Sequence, residues 1–422
     1  MRDALDFARK ELARASLDSC IKCTICETQC PVAKNTPLFP GPKYVGPQAE
    51  RFRKGESVDY SIDYCSGCSI CTTVCPQGVK IAEINAQARA VMKEQHMPLR
   101  DRLITQTELE GKLLTPLAPI ANAALGMKPI RTAVEKVVGV HRDAPMPKAQ
   151  THSLAHWFKH HTPKKAPDAQ NLGPLTYFSG CAGGYFEVAA SKAAIEVLEY
   201  IGFDVQLPKQ GCCGLAEQSN GLFKQASKKV TKLARDLQAP GVDMPIVSSA
   251  GSCAGMLRHE AHEIMGVEDE ALDEVSARTF ETSEFLVDLI HEGLFPVDKL
   301  EHIDLTIPYH QPCQVKSQGI GKPAIELMET IPGVTVVESG QACCGIAGTY
   351  GLKKEKYAIA QKVGEPLFNM VKETNPQLAA CETETCRWQI RKGTGAAVIH
   401  PVQLIHAALG LGNMESLYTQ NV

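Results

Sequence analysis

The sequence lacks the features that would place it in several common classes of protein. A net charge of −3 over 422 residues gives no excess of basic side chains for contacts with nucleic acid, so no nucleic-acid partner is expected. No G-x-G-x-x-G segment follows a predicted strand, and no Walker A sequence is present. The chain itself is therefore not predicted to hold a nucleotide or dinucleotide cofactor.

A long apolar run is also lacking. In the linker, the uncharged stretch at residues 113–127 has fifteen residues with two prolines, whereas a spanning helix needs about 20 apolar residues. The first residues have no apolar core of the kind found in signal peptides. Seventeen cysteines among 422 residues are too dilute for a disulfide-stabilised secreted scaffold. We therefore expect a cytoplasmic protein without a transmembrane helix, whose cysteines act as metal ligands.

What the sequence does contain is a doubled cysteine motif near its N-terminus. The run C-x-x-C-x-x-C-x-x-x-C-P occurs first as Cys20, Cys23, Cys26 and Cys30, and again as Cys65, Cys68, Cys71 and Cys75. This is the ligand pattern of a ferredoxin with two [4Fe–4S] clusters, in which the fourth cysteine of each run ligates the other cluster. The pattern predicts cluster 1 on Cys20, Cys23, Cys26 and Cys75, and cluster 2 on Cys65, Cys68, Cys71 and Cys30. Zinc sites and a disulfide framework are the alternatives, and both fit this spacing less well.

A second, larger duplication follows. Cys181, Cys212, Cys213 and Cys253 recur as Cys313, Cys343, Cys344 and Cys386, at offsets of 132, 131, 131 and 133 residues. A repeat of this length indicates a duplicated domain rather than a solenoid unit. We define residues 173–300 as repeat one and residues 301–422 as repeat two. Residues 1–100 are assigned to the cluster-binding domain and residues 101–172 to a linker.

Each repeat alternates predicted strands and helices. Strands are predicted over 175–178, 203–207 and 244–248 in repeat one, and ending at 310, over 334–337 and over 396–400 in repeat two. Helices are predicted over 188–200 and 323–330, with a last helix beginning at Pro401. The fold class expected is α+β overall, with a helical ferredoxin-like domain followed by two tandem α/β domains.

The order Cys…Cys-Cys-Gly…Cys in each repeat resembles the cysteine-rich CCG domain of heterodisulfide-reductase-like proteins. Residues 41–53, 115–131, 343–357 and 384–390 are similar to the C-subunit family of anaerobic glycerol-3-phosphate dehydrogenases. The resemblance extends over nearly the full length of the chain. Two alternatives stay open: the iron–sulfur subunit of a glycolate- or lactate-type oxidase, and a heterodisulfide-reductase-like enzyme acting at the CCG domains.

The resemblance implies an electron-transfer subunit with no substrate-oxidising site and no catalytic residue of its own. Because oxidation of an alcohol needs a hydride acceptor, FAD and the substrate site are expected on partner flavoprotein subunits. Electrons would pass from that flavin through the clusters to membrane quinone. The implied location is peripheral, on the inner face of the cell membrane.

The CCG pattern is not complete in this chain. The family closes its motif with C-x-x-C, but Ala250 and Thr383 stand where the first cysteine of that pair is expected. Cys381 lies two residues upstream of Thr383, so repeat one offers four cysteines and repeat two offers five. We expect one or two further iron–sulfur clusters in the repeats, with zinc or no metal as alternatives. His310 is a further candidate ligand, and a structural role is its alternative.

The linker carries a candidate membrane-surface segment. Between Val91 and Asp168 twelve Lys and Arg residues outnumber seven Asp and Glu residues. The apolar residues of the segment are Leu113, Leu114, Leu117, Ile120, Leu125 and Ile130, and they are flanked by Lys112, Lys128 and Arg131. This composition suits an interfacial helix. Trp157 and Phe158 form a second candidate, and a core-packing connector is the alternative for both.

Overall fold

The computed structural model describes residues 13–48, 60–95, 97–375 and 377–419. In these residues eight strands form two parallel sheets of four strands each. The strands are β1 (Gly173–Tyr177), β2 (Phe203–Gln206), β3 (Ile246–Ser248), β4 (Thr279–Glu281), β5 (Leu305–Tyr309), β6 (Val334–Glu338), β7 (Leu378–Ala380) and β8 (Ala397–Ile399). The sheet orders are β2-β1-β3-β4 and β6-β5-β7-β8, so the two repeats have the same topology.

The cluster-binding domain is built from short helices and turns. Its helices are α1 (Ile25–Thr28), α2 (Ile70–Thr73) and α3 (Ile81–Gln95), with 3-10 turns over Ser16–Ser19 and Tyr60–Tyr64 and a π-helical turn over Tyr44–Gln48. The linker adds α4 (Leu99–Leu103), α5 (Thr107–Leu114), α6 (Ala118–Gly126), α7 (Lys128–Val137) and α8 (Leu154–His160), with a 3-10 turn over Thr115–Leu117. The linker is therefore helical rather than extended.

Helices cover both faces of each sheet. Repeat one contains α9 (Gly180–Tyr185), α10 (Val188–Ile201), α11 (Leu215–Ser219), α12 (Phe223–Gln238), α13 (Gly251–Gly255), α14 (Ala261–Glu263), α15 (Glu270–Arg278) and α16 (Thr282–His291), and a π-helical turn over Met256–Glu260. Repeat two contains α17 (Cys313–Lys316), α18 (Pro323–Glu329), α19 (Tyr357–Thr374), α20 (Glu384–Thr394), α21 (Pro401–Ala408) and α22 (Met414–Thr419). Further 3-10 turns cover Val297–Lys299 and Tyr350–Leu352.

The two sheets share a single hydrophobic core. Leu175 and Val247 of repeat one pack in the same buried cluster as Ile307 and Ile399 of repeat two. The opposite face of each sheet packs on its own helices, as Ile246 does on the helices of repeat one. Parallel strands that are buried on both faces read as continuous apolar runs. The repeats are consequently one body, with the cysteines at the carboxyl ends of their strands.

The predicted fold class is confirmed, and the differences concern single elements. The sequence analysis did not predict β4 and β7, because each has only three residues and no alternation to mark it. The helix that begins at Pro401 was expected to be the last one, but α22 follows it. The described residues contain no helix with the length and apolar character that crossing a bilayer requires.

Candidate electron-transfer site

The eight ferredoxin-type cysteines gather into two groups of four. Cys20, Cys23, Cys26 and Cys75 line one small cavity. Cys30, Cys65, Cys68 and Cys71 line a second one. These are the two crossed sets that the motif predicts, since the fourth cysteine of each run joins the other run. Ligation of iron by them stays a prediction.

The loops around the two groups have the same backbone conformation. Thr24 and Ser69, each directly after the second cysteine of its run, have φ of 66° and 58°. Lys22 and Gly67, directly before that cysteine, have φ of 60° and 70°. Positive φ is uncommon for residues other than glycine. Its recurrence at matched positions indicates that both loops are bent in the same way to direct their thiols inward.

The donor sets fit a [4Fe–4S] cluster. Ala33 N–H donates to Cys30 Sγ, and Val79 N–H donates to Cys75 Sγ, each at 3.4 Å. Such bonds favour the thiolate that a cluster requires. Burial raises the pKa of the Cys30 thiol to about 11, so a nearby cation such as iron is needed to hold it deprotonated at neutral pH. None of the seventeen cysteines is in a disulfide.

The cysteines of repeat two form a buried group. Its members are Cys313, Cys343, Cys344, Cys381 and Cys386. The sulfurs of Cys344 and Cys386 are 3.0 Å apart. Hydrogen bonds from the Cys313 and Cys344 thiols lower the pKa of Cys343. His310 has a ring nitrogen within 4.8 Å of the Cys344 and Cys386 sulfurs. The arrangement therefore brings one imidazole and two sulfurs within reach of one metal ion, with the other three thiols beside them.

The cysteines of repeat one form a similar but less enclosed group. The sulfurs of Cys213 and Cys253 are 3.1 Å apart. Hydrogen bonds from the Cys181 and Cys213 thiols lower the pKa of Cys212. Cys181 and Cys253 are half-buried, whereas their counterparts in repeat two are buried. Glu108 of the linker accepts a hydrogen bond from the Cys212 N–H at 3.0 Å.

Glycine after each Cys-Cys pair makes the turn that directs both sulfurs to one place. Gly214 and Gly345 have φ of 85° and 92°. Their N–H groups donate to Cys212 Sγ at 3.4 Å and to Cys343 Sγ at 3.3 Å. A Cβ on Gly345 would lie 2.0 Å from the carbonyl oxygen of Ala360, so only glycine fits this turn.

A tyrosine supports the strand end in each repeat. The Tyr177 hydroxyl lies 2.6 Å from the Ser249 hydroxyl. Tyr309, at the matching position, donates to Glu382 Oε1 at 2.6 Å. Burial first, and then the neighbouring Cys381, raise the pKa of the Glu382 carboxyl. The same hydrogen bond is thus made to a hydroxyl in repeat one and to a buried carboxyl in repeat two.

The cysteines assigned to cluster 2 adjoin repeat two. Cys30 packs in the same hydrophobic cluster as Cys313 and Cys343, with Cys65 and Cys68 against it. A central cavity of about 200 Å³ then joins the three cysteine groups. Its lining includes Cys68, Cys181, Cys212, Cys213, Cys253, Cys313, Cys343, Cys344 and Cys386. The cluster-binding domain and both repeats therefore meet at their cysteines.

A buried ionic network holds the cluster-binding domain and the linker against repeat two. Lys93 bonds to Asp63 at 2.8 Å and to Asp101 at 3.0 Å. Lys353 bonds to Asp101 at 3.0 Å, and Lys356 bonds to Asp63 at 2.6 Å. Burial alone would raise the pKa of Asp101, but Lys353 and Lys93 lower it to about 2. The network fixes the cysteines assigned to cluster 2 beside the repeat-two cysteines.

The linker presents apolar side chains to solvent. Leu113, Leu117 and Ile120 are 63%, 57% and 71% exposed, whereas Leu114, Leu125 and Ile130 are half-buried. The prediction that Trp157 and Phe158 form a second exposed segment is wrong, because both side chains pack against the core that the repeats share. Of the two candidate segments only the first exposes its apolar side chains, and Leu109 and Val137 of the same linker are exposed as well.

Comparison with known proteins gives the same architecture. The 4Fe-4S dicluster domain matches residues 16–79, and the cysteine-rich CCG domain matches residues 175–258 and 307–391. The chain is 36% identical to the C subunit of anaerobic glycerol-3-phosphate dehydrogenase from Escherichia coli K12 over 400 residues, which cover 93% of this chain and 99% of the relative. The chain belongs to this C-subunit family.

Other relatives match over shorter stretches than this family does. Lactate utilization protein A of Geobacillus kaustophilus is 27% identical over 45% of the chain and 80% of the relative. The B subunit of fumarate reductase (CoM/CoB) from Methanothermobacter marburgensis is 30% identical over 53% of the chain and 42% of the relative. The family and the iron–sulfur character expected from the sequence are thereby confirmed.

Two features of the site were not found from the sequence. The ionic network joins residues 63 and 356, which are far apart in sequence, and single lysines in a chain with 44 Lys and Arg residues give no signal. The central cavity arises only from the packing of three domains. The domain boundaries and the metal ligation of the seventeen cysteines stay predictions.

Proposed function

We propose that this chain carries electrons from a flavoprotein partner that oxidises glycerol 3-phosphate to quinone in the membrane. Two [4Fe–4S] clusters on the eight ferredoxin-type cysteines and at least one further cluster on repeat two would form the route. The partner's FAD would supply electrons singly, since a cluster accepts one at a time. This chain's residues hold the centres at fixed positions, and they bury the thiols of repeat two away from water.

The contact between cluster 2 and repeat two carries the proposal. Cys30 and Cys68 pack against the group that contains Cys313 and Cys343, so the ferredoxin-type centre lies directly beside the next group of thiols. At the other end, Cys23 is exposed and Ile21 beside it is 63% exposed. An exposed apolar rim beside cluster 1 is suited to contact with the flavoprotein. Electrons would thus enter at cluster 1 and leave through repeat two.

Attachment to the bilayer is proposed for the exposed linker face. Leu113, Leu117 and Ile120 project into solvent, with Lys112 and Lys128 exposed beside them. Apolar side chains flanked by lysines bind the interface of an anionic membrane. The chain would then be peripheral on the inner face of the cell membrane.

Iron analysis and EPR spectroscopy of the anaerobically purified complex test the proposal. About eight irons per chain would mean that only the ferredoxin-type clusters are present, whereas about twelve to sixteen would support further clusters in the repeats. Complex that lacks this chain should oxidise glycerol 3-phosphate with a dye as acceptor but should not reduce quinone. Quinone reduction at an unchanged rate without this chain would contradict the proposed function.

A further inference from the structure

A groove of about 600 Å³ separates the linker helices α6 and α7 from helix α20 of repeat two. Its volume lies within the range of small-molecule sites. Lys128, Arg131 and Arg142 line it on the linker side, and Trp388, Arg391 and Lys392 line it on the repeat-two side. No cysteine lines the groove, so its space is distinct from the cysteine groups described above.

A thin wall separates the groove from the central cavity. Leu125, Met146, Pro147 and Trp388 line both spaces. Trp388 follows Cys386 by two residues on α20. A molecule in the groove would therefore be separated from the repeat-two cysteines by a single layer of side chains.

Trp388 is held firmly in that wall. Its Nε1–H donates to Glu187 Oε1 at 2.7 Å, and its ring packs edge-on against Phe186 with centroids 6.4 Å apart. Arg391 donates to both oxygens of Glu187, at 2.5 and 3.0 Å. The position of the indole is consequently fixed by both repeats.

Cationic donors face the groove. The Arg131 Nε–H donates to the Arg142 carbonyl oxygen at 2.7 Å, while Arg131 Nη1 has no hydrogen-bond partner in the described residues. Arg142 is paired with Glu135 and Arg391 with Glu187, and Asp143 is the other acid of the lining. Arg131 Nη1 is buried, whereas Lys128 and Lys392 of the lining are exposed and have no ion pair among the described residues. These two lysines are the hydrogen-bond donors that the groove offers to carbonyl oxygens.

The groove and the exposed linker face lie at opposite ends of helix α6. Helix α6 (Ala118–Gly126) carries the exposed Ile120 near its start, and Leu125 and Gly126 line the groove at its end. A ligand whose head group is polar and whose tail is apolar could therefore place its head in the groove while its tail follows α6 to the bilayer.

We propose that the groove binds the head group of a membrane quinone and that Trp388 is a positioning residue on the route from the repeat-two cysteines to it. This inference rests on the proposed function. The quinone takes two electrons, which originate from the reduced flavin of the partner, and two protons from water at the open groove. The products are quinol and oxidised flavin.

Obstruction of the groove tests the inference in the complete complex. A Cβ on Gly126 meets no atom within 4 Å, so Gly126→Trp should fold and fill the groove, and Thr132→Trp is a second obstructing variant. Ala133→Trp is the control, because Ala133 is exposed on the same linker and outside the groove. We expect kcat/KM for a short-chain benzoquinone to fall on the order of 100-fold in both obstructed variants. Dye reduction and the EPR signals should stay at wild-type levels.

The positioning role of Trp388 is tested by measuring kcat and KM for quinone separately. Trp388→Leu should lower kcat and slow the re-oxidation of the reduced centres by quinone, with little change in KM. Trp388→Phe should restore most of the rate, since an aromatic ring remains in the wall. A merely structural role would instead change both variants' dye reduction and EPR signals together.

Binding is measured separately with a photoreactive azidoquinone and peptide mapping. Labelling should fall in residues 125–132 and 142–148, should be competed by the unlabelled short-chain benzoquinone, and should be lost in Gly126→Trp. Labelling elsewhere, or equal quinone reduction in Gly126→Trp, Thr132→Trp and Ala133→Trp, would overturn the inference and leave the proposed function standing. A wild-type complex that reduces dyes but no quinone would instead overturn the proposed function.

Discussion

The two cysteine-rich repeats hold corresponding thiols at the ends of corresponding strands, but the residues around those thiols differ. With Cys253 aligned on Cys386, Ser248 of repeat one stands where repeat two has Cys381, and Ser249 stands where it has Glu382. Phe178 likewise stands where repeat two has His310. Each difference adds a potential ligand or a buried acid to repeat two. Duplication has thus preserved the scaffold, while only one copy carries the larger set of metal-binding groups.

The repeats also differ in how they are fixed to the cluster-binding domain. Repeat two is held by the buried network in which Asp101 is fully inaccessible to solvent. Repeat one is held by the buried Arg89, which donates to the carbonyl oxygens of Cys65 and Ser219 at 2.8 Å, and by exposed ion pairs such as Lys224 with Glu94. Exposed pairs contribute little, and the buried ion pairs of the cluster-binding domain and linker are made with repeat two rather than with repeat one. This is consistent with an electron route through repeat two.

The largest effect is expected when one cysteine is removed from each repeat in turn. Cys386→Ser should lower quinone reduction by the complex on the order of 100-fold, because Cys386 lies between Cys344 and Cys381 and its loss would remove a ligand of the proposed centre in repeat two. Cys253→Ser, the matched variant, should leave most of the activity. Iron content and steady-state quinone reduction of the two complexes provide the measurement.

An equal loss in both variants would contradict the difference drawn between the repeats. It would mean that electrons pass through both cysteine groups in series. Dye reduction by the flavoprotein and the EPR signals of the ferredoxin-type clusters serve as the controls, since neither substitution touches the ferredoxin-type cysteines.

The next effect concerns the fixing of the cluster-binding domain. Asp101→Asn leaves the cations of Lys93 and Lys353 without their shared acid and should destabilise the protein by about 3–5 kcal/mol. Lys224→Gln, which breaks an exposed pair beside repeat one, should cost about 0–1 kcal/mol. Urea unfolding followed by circular dichroism under anaerobic conditions measures both.

The difference in stability between wild type and Asp101→Asn should depend on pH, because the pKa of Asp101 is lowered in the folded protein. Because the folded pKa of about 2 lies below the unfolded value near 3.9, the stabilisation is fully present above about pH 4 and is lost as the pH falls through about 2. The gap between wild type and Asp101→Asn should therefore be constant from pH 8 to about 5. A gap that closes already near neutral pH would show that another group is responsible.

How far the sequence predicts this molecule depends on the range over which each signal acts. The cysteine spacings are local, and they predicted both crossed ferredoxin sets and the two CCG repeats. The strands β4 and β7 were not predicted, because three residues are too few for a periodic pattern. The groove beside Trp388 could not be predicted, because its walls come from the linker and from repeat two and only packing brings them together.

A smaller effect is expected from exchanging the fifth cysteine. Cys381→Ser gives repeat two the four-thiol set of repeat one and should change the EPR signal of its centre, with a loss of quinone reduction of about tenfold. Ser248→Cys is the reciprocal variant and should leave quinone reduction unchanged. An unaltered EPR spectrum in Cys381→Ser would show that Cys381 is a buried structural thiol rather than a ligand.

The smallest effect separates the two supporting tyrosines. In Tyr309→Phe the carboxyl of Glu382 loses its donor at 2.6 Å, while its other oxygen already has no partner in the described residues. A buried acceptor without a partner costs about 1–3 kcal/mol. In Tyr177→Phe the Ser249 hydroxyl can rotate toward another partner, so the cost should be about 0.5–1.5 kcal/mol. The midpoints of urea unfolding measure the loss of stability in both variants. Equal losses would mean that the buried Glu382 carboxyl needs its hydrogen-bond donor no more than the Ser249 hydroxyl does. The chemical difference between the repeats would then lie in Cys381 and His310 alone.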